Sequence, residues 1–284
     1  MSFICGFVDK NVKRVYRKYK TLKSLKIYLK YLKQTNASLS SLTENPYPNK
    51  IWTMWLQGID NAPEIVKICI DSIRKHAGGR EVIVIDSKNL SKYVNLPEFI
   101  TNKYNKGIIS SAMFSDIVRT YLLYYYGGTW VDSTIYCTDS LEKFNREELC
   151  FLSEFNPVGA TVISSWYISV QENNNCLLKS LLICLYSYWK KNNKNVDYFL
   201  FHLFHKMLIE NDVTCNKIWQ KVPLYLNSIP KLLLEELSKS VVDKNRIEYI
   251  KSITPIHKLT YKNFYENAPR NQQLLLERLK NINE

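Results

Sequence analysis

The sequence predicts an α/β fold, and two observations carry that prediction. The first is a βαβ unit in the first third of the chain. Residues 50–56 (KIWTMWL) and 81–86 (EVIVID) are short apolar runs rich in β-branched and aromatic residues, as is typical of buried strands. Between them, Pro63 begins a helical pattern that ends at Gly78 and Gly79. Because both connections are short, we expect the two strands to be parallel neighbours.

The second observation is a helix, a two-glycine break and a short strand over residues 115–134. Asp116 and Arg119 are three residues apart, so they share one helix face, and apolar residues occupy the opposite face. Gly127 and Gly128 end the helix, since glycine readily adopts the positive φ of a C-cap. The strand that follows is apolar and ends at Asp132.

The rest of the chain adds strands and a helical C-terminal part. Short helices are expected over 88–94 and 97–105, before the central unit. Strands are expected over 149–152 and 161–168, after it. Apolar periodicity predicts further helices over residues 175–192, 197–210, 213–220, 229–239 and 270–281.

The net charge of +13 comes mostly from one segment. Residues 10–33 hold ten Lys or Arg residues and no acidic residue, whereas the other 29 basic residues are nearly balanced by 26 acidic ones. Nucleic-acid binding is therefore not expected, because it usually requires a basic face on the folded domain. Seven cysteines without metal-ligand spacing predict reduced thiols in a cytoplasmic protein. We identify no signal peptide, and no apolar run approaches the roughly 20 residues of a membrane span.

Residues 10–33 also form a predicted amphipathic helix, with apolar residues every three or four positions and lysines between them. Two interpretations stay open. The helix could lie on an anionic membrane, where each basic side chain contributes about 1 kcal/mol, making the protein peripheral on the inner face of the cell membrane. Alternatively, its apolar side packs on its own domain or on a partner. The polar segment 34–49 predicts a linker, so residues 1–45 are interpreted as an extension and residues 46–284 as the main domain.

Candidate functional residues follow the predicted strands. Ligands of α/β sheets bind at the carboxyl ends of strands, which here are residues 55–58, Asp86 and Asp132. The glycine-rich signatures of dinucleotide sites and P-loops are absent, as is the GxSxG elbow. A bound phosphate would therefore be held by a metal ion or by side chains.

Several candidates also have a purely structural interpretation. Trp55 could be a core residue, and Asp86 could cap the helix that follows it. Asp116 and Arg119 alone would be a surface ion pair worth a few tenths of a kcal/mol. His202 and His205 lack a neighbouring carboxylate and are interpreted as core or surface residues rather than metal ligands.

Four motifs together resemble a known family. Residues 51–58 (IWTMWLQG), Ala62 with Pro63, residues 115–119 (SDIVR) and residues 126–132 (YGGTWVD) are similar to the capsular polysaccharide synthesis glycosyltransferases. These enzymes are relatives of the sugar transferases that carry a DXD motif, which include glycosyltransferase family 32 and the catalytic domains of the large clostridial toxins. The resemblance is close over residues 47–140 and looser over 160–263.

The resemblance implies a nucleotide-diphospho-sugar transferase fold of the Rossmann-like type called GT-A. It implies that Trp55 stacks on the nucleobase of the donor. Asp116 and Arg119 would bind the donor sugar hydroxyls and position the diphosphate, and Asp132, the first Asp of the DXD motif, would contact the ribose and the metal's water. Additional donor-nucleotide-binding residues implied by the resemblance are Gln57, Asp86, Gly127, Gly128 and Lys258.

The resemblance also implies a cofactor, Mn²⁺ or Mg²⁺, with Asp132, Thr134 and His257 as its expected ligands. Thr134 stands where the second Asp of the motif would be, so the motif here is Asp-Ser-Thr. This difference weakens direct metal coordination at that position. Without a full DXD motif, cationic side chains would take more of the metal's role, and Arg119 is one candidate.

The function implied by the resemblance is transfer of a sugar to a growing, lipid-linked bacterial capsular or surface glycan, with retention at the anomeric carbon. An alternative of another class is a non-catalytic protein that binds membrane or nucleic acid on a degenerate transferase fold. The basic helix and Thr134 motivate that alternative. A phosphate-group transferase in the same polymer pathway is a third candidate.

Overall fold

The computed structural model describes residues 20–35, 49–144, 149–153, 163–223, 225–226, 228–262 and 271–281 of the 284-residue chain. This part of the chain is a mixed α/β structure with a six-stranded sheet and a two-stranded ribbon. The strands are β1 (Ile51–Met54), β2 (Val82–Ile85), β3 (Gly128–Val131), β4 (Ile135–Cys137), β5 (Leu149–Ser153), β6 (Ile163–Val170), β7 (Tyr225–Leu226) and β8 (Ile256–Lys258).

Helices make up most of the remaining described residues. Residues 20–25 are helical and continue through a 3₁₀ turn (Lys26–Tyr28) into the first helix that is described in full. The helices are α1 (Leu29–Thr35), α2 (Glu64–Lys75), α3 (Leu90–Tyr93), α4 (Glu98–Asn105), α5 (Ser111–Tyr126), α6 (Cys176–Lys191), α7 (Leu200–Asn211), α8 (Val213–Trp219), α9 (Leu232–Leu237), α10 (Lys244–Ile253) and α11 (Asn271–Asn281).

The sheet confirms the predicted βαβ unit. Strand β1 is parallel to both of its neighbours, β2 and β3, and helix α2 connects β1 to β2. Strand β6 is antiparallel to β3 and β5, and β7 pairs in parallel with β5. The order across the sheet is β2-β1-β3-β6-β5-β7. The carboxyl ends of β1 and β3 therefore lie side by side, next to the amino end of β6.

Helix α5 confirms the predicted central unit. Its side chains are buried on nearly every face, including Asp116 and Arg119, which are only 7% and 5% exposed. The predicted face that carries Asp116 and Arg119 lies against β6 and a cavity, so the alternative of an exposed surface ion pair does not hold. The helix ends at Gly127, whose φ is 66°. Gly128 follows with a φ of 86°, and a Cβ there would lie 2.3 Å from the carbonyl oxygen of Lys50.

The described part of the basic segment packs on the protein's own domain. Leu25 and Tyr28 are buried in the main core, and the Tyr28 ring lies 5.7 Å from that of Tyr188 in α6. The Tyr28 hydroxyl accepts a hydrogen bond from Asn192 at 2.8 Å. The four lysines between residues 20 and 30 are exposed. Of the two interpretations, packing on the domain is confirmed for the apolar side of residues 20–32. Residues 10–19 and 36–48, including most of the predicted linker, lie outside the described residues.

The C-terminal part is helical, as predicted, and forms a second core. Apolar residues of α9, α10 and α11 pack together with the apolar side of α2. Helix α10 was not predicted, because its polar sequence (KNRIEYIKSI) buries only Ile247 and Ile250. The short strands β4, β7 and β8 were likewise not predicted, since strands of two or three residues carry too little alternation to be seen.

Among the described helices, none has the length and hydropathy of a membrane span.

Candidate active site

A cavity of about 1010 Å³ opens at the carboxyl ends of β1 and β3. Its walls come from segments far apart in the sequence: the turn after β1, one face of α5, the turn after β3, the start of β6, and three C-terminal segments. The lining residues include Trp55, Asp116, Arg119, Asp132, Thr134 and Lys258. The sequence placed its first candidate residues at these strand ends, and the structure confirms that a cavity is there.

Arg119 joins the two acidic residues at the base of this cavity. Its Nη1 lies 3.4 Å from Oδ1 of Asp116, and its Nη2 lies 3.4 Å from Oδ1 of Asp132. The first pair follows from helical spacing, as the sequence predicted. The second crosses from helix α5 to the end of strand β3, so only the tertiary fold creates it.

Most N–H donors of the Arg119 guanidinium contact other groups of the protein. Its Nη2 donates to the hydroxyl of Ser115 at 2.8 Å, and its Nε donates to the Ser115 carbonyl at 3.2 Å. Nη1 also donates to the carbonyl oxygen of Ser165 in β6. The same group lies over the Trp130 ring at 4.9 Å. Arg119 thus holds α5, β3 and β6 together at the base of the cavity.

The carboxylate of Asp132 accepts hydrogen bonds from two side chains and forms an ion pair with a third. Trp130 Nε1 donates to Oδ1 at 2.9 Å, and Lys258 Nζ donates to Oδ2 at 3.0 Å, in addition to the Arg119 pair. Burial alone would raise the pKa of Asp132, but the ammonium of Lys258 and the guanidinium of Arg119 outweigh it and lower the pKa to about 2. Asp132 is therefore ionised at neutral pH.

Asp116 has the opposite electrostatic behaviour. Burial raises the pKa of Asp116 to about 6, an effect that Arg119 opposes and Asp132 reinforces. The two carboxyl groups therefore titrate far apart, although both contact the same guanidinium. Such separation is common where neighbouring carboxyl groups have different roles.

Lys258 enters the site through the β4–β8 ribbon. The turn from β3 into β4 carries Asp132 and Thr134, and β8 pairs antiparallel with β4 so that Ile135 lies opposite Lys258. The Leu259 amide donates to the Thr134 carbonyl at 2.9 Å. As a result, Lys258 Nζ reaches Thr134 Oγ1 at 2.8 Å as well as the carboxylate of Asp132.

His257 lies on the other side of the same strand, and its predicted role is corrected. Successive residues of a strand point to opposite faces, so the side chains of His257 and Lys258 diverge. His257 is completely buried, does not line the cavity, and has Nε2 3.0 Å from the hydroxyl of Thr138. Burial lowers the pKa of His257 to about 3, so the ring is neutral. It is a core residue rather than a metal ligand of this site.

The turn after β1 brings an aromatic group to the cavity. Trp55 and Gln57 both line it, and the Tyr261 ring meets the Trp55 ring edge-on at 5.2 Å. Trp55 Nε1 is buried without a hydrogen-bond partner among the described residues. The indole N–H of Trp55 is thus a buried donor with no acceptor among the described residues.

Three predicted donor-binding residues do not line the cavity. Asp86 Oδ1 accepts from the amides of Lys88 and Asn89, each at 2.9 Å, so its carboxylate closes the turn into α3. Asp86 is therefore a structural residue of the turn before α3, although the N-cap of that helix is Asn89 rather than Asp86. Gly127 and Gly128 lie behind the site, where the Gly127 carbonyl accepts from Trp52 Nε1 at 2.9 Å. Their role is to turn the chain from α5 into β3.

The cavity also contains residues that the sequence did not single out. Tyr198 and Phe199 lie at its edge, and Tyr198 is 71% exposed. His202, which the sequence predicted to be a core or surface residue, also lines the cavity, whereas His205 is fully buried and absent from the lining. These residues are contributed by the start of α7 and the turn before it. No local sequence pattern indicated Tyr198 or Phe199 as cavity residues, because the predicted helix over residues 197–210 has the apolar composition of an ordinary core helix. Other unpredicted lining residues are Ser165, Trp166, Lys231, Glu235, Tyr261 and Lys262.

The residues present do not fit a divalent cation between Asp132 and Thr134. Mg²⁺ bound beside a substrate phosphate usually takes one or two carboxylates from the protein, and the Asp-Ser-Thr turn supplies one, Asp132. Among the described residues, no three His, Cys, Asp or Glu side chains are grouped as a metal site. Thr134 offers a neutral hydroxyl, and Lys258 contacts both it and Asp132. The predicted third ligand, His257, faces away.

The comparisons with known proteins agree with the family that the sequence suggested. No match was found among curated proteins. A solved chain described as "PaToxG Glycosyltransferase" is 17% identical, and the match covers 94% of this chain and 97% of that one; its TM-score of 0.40 is too low to establish a shared fold. The profile of the family described as "Capsular polysaccharide synthesis protein" matches residues 5–277. Since that match spans nearly the whole sequence, this chain belongs to the capsular polysaccharide synthesis protein family.

Proposed function

We propose that the chain is a glycosyltransferase of the GT-A type, which moves a sugar from a nucleotide-diphospho-sugar to a growing capsular glycan. The observation that carries this proposal is the cluster of Asp116, Arg119, Asp132 and Lys258 at the base of a cavity at strand carboxyl ends. Family membership supports the glycan pathway. The cluster supports the donor class, because it offers carboxylates for sugar hydroxyls beside a cation for phosphate.

The donor nucleotide would bind along the side of the cavity formed by Trp55 and Lys258. The indole of Trp55 is large, partly exposed and edge-packed by Tyr261, so its free face suits a nucleobase. Lys258 Nζ would donate to the diphosphate, whose negative charge increases as the sugar leaves. The four cations that line the cavity, against three carboxylates, favour an anionic ligand; they are Arg119, Lys231, Lys258 and Lys262.

The transferred sugar would lie over Asp116 and Asp132. In the proposed reaction, the bond between the anomeric carbon and the diphosphate oxygen breaks, and the acceptor hydroxyl oxygen bonds to the same face of that carbon. The acceptor proton passes to the departing diphosphate oxygen. A front-face reaction fits this site better than a covalent intermediate on Asp132, since that carboxylate already accepts two hydrogen bonds and is paired with Arg119.

The acceptor would approach from the side of Tyr198 and Phe199. Their rings meet edge-on at 5.1 Å, and Tyr198 exposes a large aromatic surface at the mouth of the cavity. Aromatic faces pack against the apolar faces of sugar rings while their edges stay in water. This placement leaves the distal end of a long or lipid-linked glycan in solvent.

We also propose that the exposed lysines of the N-terminal segment bring the protein to an anionic membrane. Lys20, Lys23, Lys26 and Lys30 are exposed, while the apolar side of the same segment is packed on the domain. Contact would therefore be electrostatic rather than by insertion. Changing all four lysines to glutamine should weaken co-sedimentation with vesicles containing phosphatidylglycerol. Equal sedimentation of the variant and the unchanged protein would refute this role.

The test of the proposed function is nucleoside-diphosphate release from a panel of UDP-sugars and GDP-sugars by the purified full-length chain. We expect turnover with at least one donor, and its loss in Asp132→Asn. The matched control is Asp71→Asn, which removes an exposed carboxylate outside the cavity. If no donor is hydrolysed or bound, and the protein still sediments with anionic vesicles, the non-catalytic membrane-binding alternative is correct.

A further inference from the structure

We infer that Lys258 occupies the position of the divalent cation expected between Asp132 and Thr134, so that this chain binds a diphosphate without a metal ion. The inference deepens the proposed function and rests on it for the identity of the ligand. It concerns how the charge of the leaving group is offset. The sequence-based expectation of Mn²⁺ or Mg²⁺ is the alternative that the experiment below must separate from it.

The ammonium group of Lys258 lies between Asp132 and Thr134. Lys258 Nζ lies 3.0 Å from Asp132 Oδ2 and 2.8 Å from Thr134 Oγ1. A cation that bridged Asp132 Oδ2 and Thr134 Oγ1 would contact these same two oxygens. The lysine thus bridges the two side chains of the Asp-Ser-Thr turn in the way that a metal ion would.

Asp132 and Thr134 offer few free ligand positions to a dication. An ionised carboxylate offers about four lone-pair sites, and three donors already approach Asp132. Thr134 contributes no charge. A dication at this position would also lie beside the Lys258 ammonium, and like charges in a partly buried site repel each other strongly.

Lys258 has one N–H donor left for a ligand. An ammonium group has three N–H donors, and Asp132 and Thr134 account for two of them. The Lys258 side chain lines the cavity and is 22% exposed, so the third donor can reach a phosphate oxygen. The Trp166 ring, 5.7 Å from Nζ, adds a further contact that holds the ammonium in place.

Arg119 is the less suitable cation for this role. The sequence suggested it as the group that would replace a metal, but its donors are directed at Ser115, Ser165 and the two aspartates. Its side chain is 5% exposed. Arg119 is therefore a positioning residue that orients Asp132, while Lys258 is the cation that meets the ligand.

The experiment measures Mn²⁺ binding and nucleotide binding separately on the full-length protein. Electron paramagnetic resonance of free Mn²⁺ reports metal binding without any nucleotide, so it does not depend on the proposed donor. Calorimetric titrations with UDP, GDP and inorganic pyrophosphate, in EDTA and in MnCl₂, report diphosphate binding. The variants are Lys258→Met, Asp132→Asn and the double variant Thr134→Asp with Lys258→Ala, and the control is Lys217→Met, an exposed lysine outside the cavity.

We expect the unchanged protein to bind no Mn²⁺ at Asp132 and to bind its diphosphate equally well in EDTA and in MnCl₂. Lys258→Met should lower that affinity about tenfold to a hundredfold, as for a lost charge-assisted hydrogen bond, whereas Lys217→Met should not change it. The double variant has two carboxylates and no ammonium, so it should gain a Mn²⁺ site.

Three results would overturn the inference. One is Mn²⁺ binding by the unchanged protein that Asp132→Asn removes. Another is weaker diphosphate binding in EDTA than in MnCl₂. The third is a folded double variant that binds no Mn²⁺, because Lys258 would then not occupy a cation position. If no diphosphate binds under any condition, the proposed donor is wrong, and the Mn²⁺ measurements still decide whether the site accepts a metal.

Discussion

Lys258 Nζ lies 3.0 Å from Asp132 Oδ2, although the two residues are 126 positions apart in the sequence. The contact ties the C-terminal strand of the β4–β8 ribbon to the end of β3 in the main sheet. It therefore joins two structural units of the chain at the point where the ligand is proposed to bind. Its strength can be measured independently of any activity.

A double-mutant cycle should show that Asp132 and Lys258 stabilise the fold together. We expect an interaction free energy of about 1–3 kcal/mol from urea unfolding of Asp132→Asn, Lys258→Met and the combined variant, as is usual for a partly buried hydrogen-bonded charge pair. Strictly additive effects would show that the contact contributes nothing to the folded state.

Asp116 should make the protein less stable as the pH rises between about 4 and 6. Burial raises its folded-state pKa to about 6, above the value of an unfolded chain, so the folded state binds the proton more tightly. The stabilisation is present below about pH 4 and is lost as the carboxyl ionises, by about 3 kcal/mol for a shift of this size.

The measurement for Asp116 is urea unfolding of the protein and of Asp116→Asn at several pH values. The variant cannot ionise, so its stability relative to the unchanged protein should increase from pH 4 to pH 7. Asp132 has the opposite effect on the free energy of unfolding. Its folded-state pKa is lowered to about 2, so the stability that it contributes is lost as the pH falls toward that value. A constant difference between the two proteins across this range would contradict the raised pKa of Asp116.

Gly128→Ala should destabilise the fold more than a comparable change elsewhere. A Cβ at Gly128 would lie 2.3 Å from the Lys50 carbonyl oxygen, and the residue also has a positive φ. We expect a loss of more than about 2 kcal/mol, since backbone strain alone costs about 1–3 kcal/mol. The control is Gly79→Ala, where φ is also positive but no atom lies within 4 Å of the added Cβ. Equal losses at the two glycines, measured by thermal unfolding, would rule out the close approach at Gly128.

Trp55→Leu should weaken nucleotide binding without changing the binding of pyrophosphate. Stacking on a nucleobase contributes about 1–3 kcal/mol, so UDP or GDP affinity should fall about tenfold or more. Pyrophosphate has no base and reports only the contacts of Lys258 and its neighbours. Trp219→Leu, outside the cavity, serves as the control. A parallel loss for both ligands would mean that Trp55 shapes the site rather than stacking on a base.

Much of the architecture was accessible from local sequence patterns. The βαβ unit, helix α5 and its two-glycine end, and the strand that ends at Asp132 were all predicted and confirmed. Each depends on periodicity or on glycine conformation over a few residues, which a sequence records directly. Helix α10 was missed for the same reason, since it buries two side chains and has no clear apolar stripe.

The sequence by itself determined the family, the α/β class and the strand ends where the cavity opens. The pairing of Asp116 with Arg119 also came from sequence, because helical spacing brings residues three apart onto one face. The tertiary structure alone decided which C-terminal side chain completes the site. His257 and Lys258 are neighbours in sequence, and only the register of β8 against β4 turns the lysine toward Asp132 and the histidine into the core. Strand register depends on pairings between distant segments, so no local pattern could have separated the two residues.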